Sequence, residues 1–540
     1  MESRKTMEYG ENPHYPETYE EQLKALESDP QMEWFRAARE AGKSDRYRPV
    51  YHLIRPEGCI NDPNGLCFWE GRWHLFYQAN DSRIHWGHAV SEDLLRWRDL
   101  PFAIYPKLED HCFSGGTCVD VKHHRVIAAY YGFTGYWSDD SWRVGTVIAT
   151  SSDPLLLNWT KVNDGAPVIP DRDAPCWKAD DAPAVPNQKP YKVFDSNIWM
   201  EGDTYYLVTG GYSHHPITNR RFREMYLFKC TDENLTNWEF VGPFLGKHDR
   251  FREVGDDGAC PYFTKLGDRY LLSHFSHRRL AKWLLGDYDP ETHEFVPVNG
   301  GRYVSAHNIM VAPCVCALPD EDGAAVAVFN TCEQVRQKDW HGTMTLPRKL
   351  TVGGRWHDEL NIAPGVDLTP LRENHKTVEN LELKNAETVV LDGINGTAYE
   401  AIITLPAGSI PQTLELELLR SPDGEERTVF SFLYRAGGDY AIQPYNEDSV
   451  MMLNTRYSSK NTDARVLPPD TAQAVIDEKE DITLHVFVDK SSVEVFANDR
   501  AVVFGRVYPT RDDSTGIALR ALGTDGTVAK LDYWDIKSIY

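Results

Sequence analysis

The chain has 540 residues, 41% of them hydrophobic and 26% charged, with a formal net charge of −24. That length exceeds what one hydrophobic core usually spans, so two or more domains are expected. The 81 acidic residues are spread along the chain, which argues against nucleic acid or an anionic membrane as partner and suits a neutral small-molecule or oligosaccharide substrate.

Residues 1–45 open with "MESRKTMEYGENPHYPETYEEQLKALESDPQ", which has no apolar core of a secretory leader, and no apolar run in the chain approaches the ~18 residues of a bilayer span. A cytoplasmic location is expected, or a secreted one if a leader has been trimmed. "YEEQLKALESDPQMEWFRAAREAG" has helical spacing and ends at Gly42, predicting a helical N-terminal extension. The ten cysteines show neither CxxC pairs nor His/Cys ligand spacing, so no zinc site and no disulfide framework is expected.

From residue 46 the texture changes to short strands rich in aromatic and β-branched residues, joined by Gly, Asp and Asn turns. "GCINDPNGLCFWEGRWHLFYQAN" (58–80) shows it first. Pro63 disfavours helix at Asp62 and Gly65 permits positive φ, so a tight turn is expected to hold Asp62 rigidly before a buried strand. Similar units start near 64, 116, 196, 260 and 312. Five repeated β-units predict a five-bladed propeller over 46–352, one sheet per blade. Asp62, Asp195 and the acids before Cys260 fall at the same place in three repeats, where polar residues would line a central funnel. Residues 353–376, with "NIAPGVDLTPLRENHK", read as a linker. From 377 to 540 alternation is cleaner, and "DITLHVFVDKSSVEVFANDRAVVFGRVYP" predicts three strands of a C-terminal β-sandwich. The fold class is all-β.

These segments resemble glycoside hydrolase family 32, the invertase, inulinase and fructosidase group. "YHLIRPEGCINDPNG" is similar to the family's opening signature, "WHLFYQAN" and "IHWGHAVSEDLLRWRDLPFAI" to its next elements, and "CFSGGTCVD" to its Phe-Ser-Gly segment. "WHGTMTLPRKLTV" is similar to the end of its propeller and "VFVDKSSVEVFAND" to its sandwich. The resemblance covers roughly 50–540 and implies a retaining enzyme with a propeller and a sandwich. It makes Asp62 the nucleophile. It makes Asp195, in "KVFDSNIWM", the transition-state stabiliser, although the family's flanking Arg and Pro are Phe194 and Ser196 here. The family's acid/base Glu precedes a Cys-Pro pair, and Ala259 occupies that place. Strand parity puts Asp257 on the same face as Ala259, with Gly258 able to form a bulge, so Asp257 is the candidate acid/base and Asp256 the alternative; Glu253 ranks behind them.

Asn61, Gln78, Trp86, Phe113 and Ser114 match positions that line the family's furanose pocket, where amides and hydroxyls meet sugar hydroxyls and rings meet sugar faces. The Pro- and Asp-rich stretch 171–192 reads as an inserted loop, whose Trp177 could wall an acceptor site. His274, His277 and His307 receive no role. The function implied is hydrolysis of terminal β-fructofuranosyl residues from sucrose, fructo-oligosaccharides or fructans, with no metal or organic cofactor. Fructosyl transfer, action on a related furanoside such as an arabinofuranoside or difructose anhydride, and a catalytically silent sugar-binding propeller remain alternatives, the last because of Ala259.

Overall fold

The computed structural model describes residues 12–134, 144–171, 191–214, 221–246, 256–305, 309–335, 337–435 and 448–540. Glu253, His307, Trp177 and most of the insertion around it lie outside the described residues.

Two helices, Tyr19–Glu27 and Pro30–Ala41, precede the strands. The periodicity over this stretch is interrupted at Asp29-Pro30: Asp29 caps the second helix by accepting from the Met32 N–H, and Pro30 takes the first turn, where no N–H is needed. The helices are anchored on the strands by a two-pronged Arg39–Asp99 pair (2.9 and 2.8 Å) and by Phe35 against Phe102.

The strands that follow are arranged as a five-bladed propeller and a two-sheet sandwich. The innermost strands of the blades are Gly58–Trp69, His111–Asp120, Lys192–Glu201, Ala259–Leu266 and Met310–Ala317, each paired antiparallel to the next strand outward. The ring closes where Trp340 and His341, in the connection between the second and third strands of the last blade, pair parallel to Gly58 and Cys59 at the start of the first.

Asn61-Asp62-Pro63-Asn64-Gly65 is not the turn expected from its dipeptides. It lies inside the strand Gly58–Trp69, whose pairing slips between Ile60 and Pro63 and again between Asn64 and Cys67. The partner strand Arg72–Asn80 pairs on both sides of the knot and keeps the chain running forward, so the turn-forming residues produce bulges instead. Gly65 adopts φ +50°, and a Cβ there would lie 2.4 Å from Thr117 Cγ2. The same slip recurs in every inner strand: between Cys112 and Gly115, Val193 and Ser196, Ala259 and Tyr262, and Met310 and Pro313. A bulge re-aims the side chains within it. Here those are Asp62, Ser114, Asp195 and Cys260 in the first four blades.

Half of the stretch expected as a linker is strand. Glu359–Pro364 is the outer strand of the fifth blade, and Arg372–Leu383 is an edge of the sandwich, paired with Gly526–Ile536. The three strands expected near the C-terminus are Ile482–Asp489, Ser492–Ala497 and Ala501–Arg506. Two six-stranded sheets enclose an apolar core that includes Leu416, Phe430, Leu484, Val495 and Leu519.

The sandwich is fastened to the propeller by buried charge. Asp489 accepts from the N–H groups of Val50, Tyr51 and His52 and contacts His52 Nδ1 at 2.9 Å. Glu494 pairs with Arg348 at 2.8 Å and accepts from Leu346 N–H, while Arg506 pairs with Glu333. All of these carboxylates and guanidiniums are buried and each meets a partner, which offsets part of the desolvation cost; Arg348 Nε and Nη1 and Arg506 Nε find no hydrogen-bond partner among the described residues.

Candidate active site

The bulges of the first four blades converge on one cluster. Asp62 Oδ2 accepts from Ser114 Oγ (2.6 Å) and Gln78 Nε2 (3.2 Å), and Asn330 Nδ2 reaches Asp62 Oδ1 at 3.4 Å. Gln78 Nε2 also donates to Ser114 Oγ at 2.6 Å. Asn61 donates to Gln78 Oε1 (3.0 Å) and accepts from Asn330 Nδ2 (2.9 Å), so the amides form a closed frame around the carboxylate.

Asp195 faces the same cluster from the third blade. Its Oδ2 accepts from the Cys260 N–H at 3.1 Å, and Cys260 Sγ stands 3.4 Å from that oxygen and 3.7 Å from Asp62 Oδ2. One thiol within reach of both puts the two carboxylate oxygens within about 7 Å of each other. Cys260 has φ +46°, a left-handed conformation that costs a non-glycine residue of order 1 kcal/mol. That conformation aims both its N–H and its thiol at the acids.

Burial raises Asp62 above the ordinary carboxylate range, opposed by the Ser114 hydroxyl and by the nearby His277. Asp195 is pushed up to about 6, first by burial and then by the charge of Asp62, with the Cys260 N–H opposing. Burial, then Asp195 and Asp62, keep the Cys260 thiol protonated, so it acts as a donor. Two acids this close titrate as a pair.

The expected acid/base candidates are placed differently. Asp256 and Asp257 precede the fourth inner strand and are not the equivalents of Asp62 and Asp195, because the bulge of that strand is occupied by Cys260 and Pro261. Asp257 is 1% exposed. Its Oδ2 accepts from His277 Nδ1 (2.7 Å) and Arg223 Nη1 (3.1 Å), and its Oδ1 accepts from the His277 N–H (3.2 Å). Asp256 is buried against Lys282 Nζ at 2.7 Å. Ala259 is buried and pairs with Phe275, offering no polar group. Gly258 has φ +63°, and a Cβ there would meet Met225 Cγ at 2.2 Å.

Phe113, partly exposed, stacks on His111 (5.7 Å) and Phe133 (5.2 Å), forming an aromatic wall beside Ser114. Trp86 is wholly buried. Its indole N–H donates to the Phe113 carbonyl at 2.9 Å, so it fixes the backbone that carries Phe113 and Ser114. Among the described residues, no group of three or more His, Cys, Asp or Glu side chains has an arrangement that could hold a metal ion.

Comparison with known proteins names the architecture. The N-terminal domain of glycosyl hydrolases family 32 matches residues 52–364, and the family's C-terminal domain matches 367–535. The chain belongs to glycosyl hydrolases family 32. It is therefore a glycoside hydrolase by family. Relatives include sucrose-6-phosphate hydrolase of Zymomonas mobilis, 28% identical across 89% of this chain and 91% of the relative. Levanase of Bacillus subtilis is 26% identical across 92% of this chain and 71% of its own length. Among solved structures, fructan 1-exohydrolase IIa of Cichorium intybus shares the fold with a TM-score of 0.73 at 21% identity, over 92% of this chain and 98% of that one.

Within this family 32 chain, three site residues escaped the reading of the sequence. Asn330 ends the apolar run "AAVAVFN", and a lone amide there was its only signal. Cys260 was visible only as a neighbour of Ala259. His277 follows the strand Arg269–Ser276, and only the fold brings it beside Asp257.

Proposed function

We propose that this family 32 enzyme is a retaining hydrolase that releases terminal β-fructofuranosyl residues from sucrose, fructo-oligosaccharides or fructans. The observation that carries the reading is the meeting of Asp62 and Asp195 on either side of Cys260 Sγ, at 3.7 and 3.4 Å, inside a frame of amides and a hydroxyl. Relatives named sucrose-6-phosphate hydrolase, levanase and raffinose invertase support a fructoside as substrate.

In this reading Asp62 attacks the anomeric carbon as the C–O bond to the leaving group breaks, giving a fructosyl-enzyme, and water then displaces Asp62. The hydrogen bonds from Ser114, Gln78 and Asn330 fix one approach for its carboxylate. Asp195 accepts hydrogen bonds from ring hydroxyls as positive charge grows on the sugar. Asn61 and Gln78 carry further polar contacts, and the Phe113 wall packs on the apolar face of the furanose. Proton transfer to and from the departing oxygen falls to the group of residues around Asp257.

The test is a screen of sucrose, sucrose 6-phosphate, inulin, levan, difructose anhydrides and aryl furanosides, with Asp62→Asn alongside. Release of free fructose by the native chain and a loss of at least ~10⁴-fold in the variant are expected. A second reading, a silent sugar-binding propeller, draws on the buried Ala259. Turnover that disappears in Asp62→Asn would remove it, whereas sugar binding without turnover would establish it.

A further inference from the structure

We propose that His277 is the general acid/base of this enzyme and that Asp257 is the positioning residue that holds it. This rests on the retaining-hydrolase reading and names the group that handles the proton.

A general acid must bring a proton to the glycosidic oxygen. Asp257 is enclosed, and its oxygens accept from Arg223, from the His277 N–H and from His277 Nδ1. Asp256 is enclosed with Lys282. Ala259 has no proton to give. His277 is the exposed partner: it follows the strand Arg269–Ser276 in the turn at its end, two residues beyond Phe275, which pairs with Ala259. His277 therefore lies at the same end of the blade as the position from which the resemblance would bring a glutamate.

Its orientation is set. Nδ1 points at Asp257 Oδ2 at 2.7 Å, the His277 backbone N–H binds the other oxygen of the same carboxylate, and the ring stands edge-on to Phe275 with centroids 5.3 Å apart. With Nδ1 so engaged, Nε2 is the nitrogen turned to a ligand, and among the described residues it makes no hydrogen bond. A carboxylate behind one nitrogen of an imidazole favours a proton on that nitrogen and supports charge on the ring. The charged and titratable groups facing His277 are Asp257 from the same blade, Arg223 from the third blade, and Asp195 and Asp62 from the cluster. The Asp257 hydrogen bond raises the imidazole above its ordinary value, burial and Arg223 oppose, and Asp195 adds to the rise. The influence works both ways: His277 favours the charged forms of Asp62 and Asp195, and Asp257, which holds it, lies three residues before Cys260, whose N–H and thiol meet Asp195.

The proton balance closes without a further reagent. In the first step imidazolium Nε2–H passes its proton to the glycosidic oxygen as that oxygen leaves the anomeric carbon and Asp62 bonds to it. In the second step neutral Nε2 takes a proton from water as its oxygen bonds to the anomeric carbon and Asp62 departs. The enzyme returns to imidazolium and carboxylate.

The experiment compares sucrose, which has a poor leaving group, with an aryl β-fructofuranoside, which needs little acid assistance, in native enzyme, His277→Ala, His277→Gln and Asp257→Asn. Thermal melts confirm that each variant is folded. His277→Ala and His277→Gln are expected to lose about 10²–10⁴-fold on the sugar and under about tenfold in glycosylation by the aryl substrate. The alkaline limb of the native pH profile should vanish in both, and azide should raise aryl turnover by giving fructosyl azide. Asp257→Asn should keep a limb but move it to lower pH, with a smaller loss than His277→Ala. Equal losses on both substrates, an unchanged alkaline limb in His277→Ala, or leaving-group selectivity confined to Asp257→Asn would overturn the assignment. A native chain inactive on every fructoside would instead bring down the hydrolase reading, and this assignment with it.

Discussion

Replacing Asp195 with Asn should stabilise the protein while disabling it, and the gain should depend on pH in a calculable way. Asp195 is moved from an ordinary 3.8 to about 6 by burial and by Asp62. A raised carboxylate contributes its stability below its unfolded value and loses it as pH climbs through the folded one. Native enzyme is therefore penalised progressively between about pH 4 and 6 and uniformly above that, by roughly two pH units at about 1.4 kcal/mol each, or ~3 kcal/mol. Asn is nearly isosteric, can still accept from the Cys260 N–H, and has no charge to bury. At about 2.1 cal/mol/K per residue, ~3 kcal/mol corresponds to a rise in Tm of about 3–5 °C, depending on whether the propeller melts with the sandwich or alone. The assay is a pair of melts at pH 4 and pH 7.5 for native and Asp195→Asn proteins, with fructoside turnover measured on both. The variant should gain only at the higher pH and lose most activity. An equal gain at both pH values, or none at pH 7.5, would refute the electrostatic account of this pair.

Three further outcomes follow from the geometry. Ser114→Ala removes the 2.6 Å hydrogen bond to Asp62, a donor that favours the ionised form, so the acid limb of kcat/KM should move to higher pH; a fall in rate with the limb unmoved would count against Asp62 as the ionised nucleophile. Asp489→Ala leaves the N–H groups of Val50, Tyr51 and His52 without their acceptor in the seam between propeller and sandwich, and should cost about 3–5 kcal/mol in chemical denaturation. Trp86→Phe keeps the buried ring but frees the Phe113 carbonyl, so KM should rise more than kcat falls, as steady-state kinetics on sucrose would show.

The sequence made the architecture legible because each blade repeats one pattern, apolar strands set apart by turn residues, and because the sandwich strands alternate cleanly. It misled at Asn61–Gly65, where residues that form turns in isolation were overruled by a partner strand pairing on both sides. It misled again at 353–376, where polar and proline-containing segments are edge strands whose outer faces meet water. In the site, Asp62 and Asp195 were readable because both fall at the same point of a repeated unit. Asp257 was placed by strand parity, but parity fails where the strand has not begun: Asp257 precedes Ala259–Leu266 and its direction is set by Arg223 and His277. No local pattern announces His277, Asn330 or the left-handed Cys260, since each depends on contacts between segments far apart in the chain.

The slipped pairing at the head of every inner strand separates the ladder that holds a blade together from the side chain the blade presents to the axis. One such position can change its chemistry while the hydrogen-bonded rungs below it stay as they are. The fourth blade can then turn a cysteine, Cys260, toward the acids where the first and third blades turn Asp62 and Asp195, and the ring keeps its shape. A propeller of this construction behaves like a chuck with independent jaws, each of which can be refitted without loosening the others.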